Sequence, residues 1–162
     1  MMTGIQSVNS VMMLYWCMTL ICLLLFAVYD YMHHMIRNTV LAAFSIWCLL
    51  YLPVAILLFP DKPPAIICLE CLGGALAGFV LLLFIASITN GGIGGGDIKL
   101  IALLGIPFGV MGILTVLLMA ALLALLVEGI HMCLKRKQAA SIPFAPYVFA
   151  GAVFVVLCNY FR

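Results

Sequence analysis

The chain has 162 residues, of which 68% are hydrophobic and 7% charged, with a formal net charge of +2 and a mean hydropathy of +1.36. Soluble domains run at roughly 45–50% apolar and 25% charged, so this composition excludes a soluble globular core and leaves the bilayer as the solvent. The small net charge, carried by basic residues that are not interleaved with aromatics, excludes a nucleic-acid-binding surface.

The first apolar stretch lacks a basic region before it and a small-residue cleavage site after it, so it reads as a retained helix rather than a signal peptide. A span needs ~20 apolar residues, and runs at about 11–29, 39–59, 65–89 and 142–160 meet that requirement. Between Asp97 and Lys135 lies a longer apolar block. Gly105-Ile106-Pro107-Phe108-Gly109 gives it a place to turn, because proline removes a backbone donor and glycine tolerates positive φ. The block then divides into a short helix over about 98–108 and a longer one over about 110–133. The fold expected is a single all-α polytopic membrane domain over 1–162, with six transmembrane helices, the fourth short and entered through a Gly-rich loop.

Charge supports that count. With six helices and the amino terminus outside, Arg37, Lys99 and Lys135-Arg136-Lys137 share the cytoplasmic side, and only Lys62 and Arg162 lie outside, as the positive-inside rule requires. Five helices would put the Lys135–Lys137 cluster opposite Arg37 and Lys99. Pro60-Asp61-Lys62-Pro63-Pro64 becomes an external turn.

The acidic residues are Asp30, Asp61, Glu70, Asp97 and Glu128. Asp61 belongs to the polar turn. Asp30 ends the first apolar run and Asp97 begins the fourth, and the chain crosses out and back between them, so both lie at one membrane face near the hydrocarbon boundary. Taken alone, Asp97 reads equally well as a helix N-cap and Asp30 as an interfacial residue beside His33, His34 and Arg37. The glycines beside Asp97 alter the balance. Gly91, Gly92, Gly94, Gly95 and Gly96 make a segment nearly free of side chains, suited to close approach of another backbone. Two carboxylates whose oxygens come close hold one proton between them near neutral pH. The ionised member takes a proton from water as it attacks a peptide carbonyl, and the protonated member donates to the carbonyl oxygen. An extended glycine segment could add as a strand to the substrate backbone and so unwind a helical substrate.

These residues resemble a known family. Gly94-Gly95-Gly96-Asp97 with Ile98-Lys99-Leu100 is similar to the G-x-G-D-x-K-L motif of the type IV prepilin peptidases, which are GxGD-type intramembrane aspartic peptidases. Asp30 with Ile36-Arg37-Asn38 resembles the aspartate and Ile-Pro-Asn triplet of the same family, with Arg37 in place of proline. Ile142-Pro143-Phe144-Ala145-Pro146 resembles the I-P-F-G-P sequence opening its last helix. The resemblance implies that Asp30 and Asp97 are catalytic and that Gly94, Gly95 and Gly96 meet substrate. It also implies partners: pilin-like precursors with a short basic leader ending in glycine and a following hydrophobic helix, cut at the cytoplasmic face of the plasma membrane. Larger members carry a cytoplasmic insertion after the first helix, with two C-x-x-C pairs, associated with N-methylation. Only Tyr31–Asn38 lies there in this chain, so cleavage without methylation is expected.

The remaining chemistry-bearing residues point elsewhere. Lys99, about 200° around a helix from Asp97, reads as snorkelling to headgroups. Cys68-Leu69-Glu70-Cys71 has no second pair to complete a zinc site. His33 and His34 are adjacent and diverge on a helix, and His131 has no matching ligands, so neither a metal nor a cofactor is expected. Rival readings are a small transporter or proton-relay subunit using the same aspartates, and an assembly subunit packing through Gly73, Gly74 and Gly78. The oligomeric state is left open.

Overall fold

A computed structural model describes residues 2–33, 38–89, 93–135 and 144–160. His34, Ile36, Arg37, Gly91, Gly92, Arg136, Lys137, Ile142, Pro143 and Arg162 lie outside the described residues, and the side chains of Glu128 and His131 do as well. The described chain is wholly helical: α1 (Met2–His33), α2 (Asn38–Leu58), α3 (Pro64–Ile88), α4 (Gly95–Lys135) and α5 (Ala145–Tyr160). Helix α4 is the hub, packing on α3, α5 and α2, while α1 packs chiefly on α5.

Each helix turns one narrow stripe inward. On α1 the buried positions are Tyr15, Thr19, Leu23, Phe26, Ala27 and Asp30, a spacing of three and four that marks one helical face. On α5 they are Ala145, Val148, Gly151, Ala152 and Val155. The opposite faces are not polar: Leu14, Leu57, Met111 and Leu125 are all largely exposed. Apolar side chains facing outward all round are stable only in lipid. Residues Ser10–His33, Asn38–Leu58, Pro64–Ile88 and Gly95–Val127 are each long and apolar enough to cross a membrane, and Ala145–Asn159 is a shorter apolar helix. The chain is a multi-pass membrane protein.

Close backbone approach holds α3 to α4. A Cβ placed on Gly74 would collide with the Gly105 carbonyl, and one placed on Gly105 would collide with the Gly74 backbone. Four residues on from Gly74, a Cβ on Gly78 would lie 2.8 Å from the Ile101 side chain. This is the small-residue seam by which helices pack in lipid, where dispersion rather than hydrophobicity supplies the attraction. Across α1 and α2, Tyr15 stacks on Trp47 with ring centroids 5.1 Å apart. The Trp47 indole donates to Thr19 Oγ1 at 3.0 Å, and Thr19 in turn donates to the Tyr15 carbonyl at 2.9 Å. The buried hydroxyl is thereby satisfied.

Two boundaries differ from those read off the sequence. Helix α1 begins at Met2 rather than near residue 11, because helical geometry does not stop where apolar character does. Helix α4 begins at Gly95 rather than near residue 98. The division expected between 98–108 and 110–133 is present, for the helical geometry of α4 breaks at Gly109, with φ 66° and ψ −177°. Pro107, two residues earlier, cannot donate to the ladder, so the break falls where hydrogen bonding is already interrupted.

Candidate active site

The site forms where the end of α1 meets the beginnings of α4 and α5. Asp30 continues the buried stripe of α1, one turn beyond Phe26, and is 5% exposed. Its partner comes from the far end of the sequence. At the start of α5, the Phe144 carbonyl accepts from Tyr147 N at 3.1 Å and Val148 N at 3.2 Å. Pro146 has no amide hydrogen, so the Ala145 amide is the first-turn donor still requiring an acceptor. Asp30 Oδ2 fills that need at 3.1 Å. A carboxylate from α1 therefore sits on the positive end of α5.

Asp97 is held within its own helix. The Gly94 carbonyl accepts from Asp97 N at 3.0 Å and Ile98 N at 3.3 Å, which makes Gly94 the N-cap and Asp97 the third helical residue. This corrects the sequence reading of Asp97 as the cap. A Cβ on Gly94 would lie 3.1 Å from Asp97 Oδ2, so any larger residue there presses on the carboxylate. The other oxygen, Asp97 Oδ1, is buried and has no hydrogen-bond partner among the described residues.

The charge of Asp30 acts on Asp97: helices α1 and α4 bring the two carboxylates within electrostatic reach. Two helix N-termini converge on them, and their positive ends offset part of the mutual repulsion. The glycines behave differently from expectation. Gly95 and Gly96 form the first turn of α4 instead of an extended strand, closed by the bonds that the Gly94 carbonyl accepts from Asp97 N and Ile98 N. Gly94 and Gly95 are exposed, and a Cβ on Gly95 would meet nothing within 4 Å.

Beside the site, an apolar groove of about 510 Å³ opens between α1 and α2, lined in part by Phe26, Tyr29, Val40, Phe44 and Trp47. Lys99 does not simply extend outward. Its Nζ donates to Asn38 Oδ1 at 3.1 Å, a pairing that sequence reasoning missed because the two residues lie 61 positions apart. It also missed the Ala145 amide, although Pro146 in the last motif was a usable signal. His33 Nδ1 lies 3.3 Å from the Tyr29 carbonyl with its ring stacked on Tyr29, so it is engaged within α1. Cys68 and Cys71 are free thiols, and among the described residues no three His, Cys, Asp or Glu side chains gather to hold a metal ion. Glu70 pairs with Lys62 at 3.3 Å, near the turn that carries Asp61.

Residues 17–128 match the family described as the type IV leader peptidase family. The chain is 39% identical over 85 residues to a prepilin leader peptidase/N-methyltransferase of Bacillus subtilis (strain 168), covering 52% of this chain and 34% of the relative. It is 36% identical over 98 residues to a protein of the same description from Xanthomonas campestris pv. campestris, covering 57% of this chain and 32% of the relative. The chain thus spans about a third of the length of the curated relatives it matches. No solved structure matches it.

Proposed function

Since the chain belongs to the type IV leader peptidase family, we propose that it is an aspartic endopeptidase that removes the leader from type IV pilin-like precursors at the cytoplasmic face of the plasma membrane. The observation that carries this reading is the placing of Asp30, bonded to the first turn of α5, and of Asp97, in the first turn of α4 with a buried and unpartnered Oδ1, on helices that both pack on α5. In the proposed reaction the pair holds one proton. The ionised carboxylate takes a proton from water as its oxygen bonds to the scissile carbonyl carbon, and the protonated one gives its proton to the carbonyl oxygen. When the tetrahedral diol collapses, the first aspartate returns its proton to the departing amine nitrogen. The second recovers one from a diol hydroxyl, the C–N bond breaks, and the pair is regenerated.

Substrate geometry follows from the surroundings. Open space beside Gly95 admits a peptide backbone close to Asp97, and the groove between α1 and α2 offers an apolar seat for the hydrophobic helix that follows a basic leader. Each limb of α4 crosses the bilayer in the proposed topology, with Gly109 at the outer turn, giving six crossings and placing Asp30, Asp97 and Lys135–Lys137 on the cytoplasmic side. Cleavage proceeds without a metal or cofactor and without N-methylation, since the segment between α1 and α2 has no cysteine. Co-expression with a candidate precursor tests the reading. A product shortened at the leader junction supports it, and an intact precursor in the presence of inserted protein contradicts it.

A further inference from the structure

Two polar residues that the proposed mechanism leaves without a task, Asn38 and Lys99, are hydrogen bonded to each other at 3.1 Å. Asn38 is the first residue of α2 and follows shortly after the turn of α1 that carries Asp30. Lys99 stands next but one after Asp97, in the opening turns of α4. The bond therefore fastens together the two helix starts that border the aspartate pair. Elsewhere the frame of the site is indirect: α1 packs chiefly on α5, and α5 on α4, so Asp30 is located relative to Asp97 through a third helix. The Asp30–Ala145 bond secures that indirect route, and the Asn38–Lys99 bond supplies a second tie, from α2 to α4, on the other side.

We propose that Lys99 is a positioning residue for the aspartate pair, acting through Asn38 to hold the start of α2 against the start of α4. This deepens the peptidase reading and rests on it for its kinetic consequence, though not for its structural one. Both side chains are exposed, and a single exposed polar contact contributes little to stability. The effect belongs to geometry: catalytic groups displaced by about 1 Å lose up to two orders of magnitude in rate. A role in gripping the substrate is disfavoured by charge, since a lysine would repel a basic leader. One of the three Lys99 donors is committed to a protein acceptor.

The test uses the full chain in vesicles of neutral phosphatidylcholine, with a pilin-like precursor that the unmodified protein cuts. Lys99→Met and Asn38→Ala should each lower kcat about tenfold with KM nearly unchanged, the double variant should be no slower than either single one, and Lys99→Arg should restore most of the rate. Wild-type kcat in Lys99→Met, a multiplicative loss in the double variant, a change confined to KM, or a rate that rises with anionic lipid in the unmodified protein but not in Lys99→Met would each overturn the proposal. An independent readout needs no turnover. Spin labels at Thr39 and Ala102, in a cysteine-depleted background, should show a broadened α2–α4 distance distribution in Lys99→Met, and an unchanged distribution overturns the proposal even where no substrate is cut. Failure of the unmodified protein to cut, combined with broadening, contradicts the peptidase reading alone.

Discussion

Asp30, near the end of the first helix, accepts a hydrogen bond through Oδ2 from the backbone amide of Ala145 at 3.1 Å, and so serves the first turn of the last helix. That residue has a structural duty that can be separated from a catalytic one. Asparagine retains a carbonyl oxygen for the amide and alanine does not. Asp30→Ala should therefore lose about 0.5–2 kcal/mol of stability, the usual range for a lost cap, whereas Asp30→Asn should stay close to the parent. Thermal unfolding in detergent checks this, and equal melting of the alanine variant and the parent would show that the Ala145 bond contributes nothing.

Gly74 and Gly105 face each other with no room for a Cβ on either. Gly74→Ala and Gly105→Ala should each push α3 and α4 apart and cost about 1–3 kcal/mol or more, as overpacking does. Gly95→Ala adds its methyl to open space and places a better helix former in a first turn, so its stability should be unchanged or slightly raised. Its cleavage rate should nonetheless fall, because the methyl occupies the path proposed for the substrate backbone.

Gly109 is constrained by its dihedral rather than by space. A Cβ there would be 3.9 Å from the nearest atom, the Glu70 carbonyl oxygen, yet φ is 66°. Gly109→Ala should cost about 1–3 kcal/mol, because positive φ with ψ −177° is a region open essentially to glycine alone. Compensation by a neighbouring cavity-forming substitution should not occur, which distinguishes this site from Gly74.

Single-cysteine labelling tests the topology. Position 137 should react with an impermeant thiol reagent only from the cytoplasmic side and position 62 only from the outside. Labelling of position 137 from outside would contradict the six crossings.

The sequence made the chemistry legible more readily than the packing. Asp97 after three glycines, and Asp30 at the end of a span, stand out because a carboxylate bordering hydrocarbon demands a reason. Helix α1 shows why the rest was hidden: its buried stripe from Tyr15 to Asp30 is mostly apolar, but so is its outer face, and without contrast between faces hydrophobic periodicity carries little orientation. The direction in which Asp30 points was therefore not readable, nor was its bond to Ala145. The start of α4 was placed too late because glycine lowers helix propensity. The propensity was overridden by the bonds that the Gly94 carbonyl accepts from Asp97 N and Ile98 N, which depend on backbone geometry rather than on composition. Asn38 and Lys99 were individually visible, but their pairing is a product of how α2 meets α4.

The most direct measurement is cleavage of a co-expressed pilin-like precursor by Asp30→Asn and Asp97→Asn. Asparagine preserves size and an acceptor, so the cap on α5 survives, but it cannot exchange a proton, so a general acid–base pair does not. Each variant should be inserted and folded yet leave the precursor uncut, the double variant should be no worse than either single one because the pair acts as a unit, and Asp61→Asn in the outer turn should cut normally. Near-parental cleavage by either single variant would reduce that aspartate to a structural role and contradict the two-aspartate mechanism.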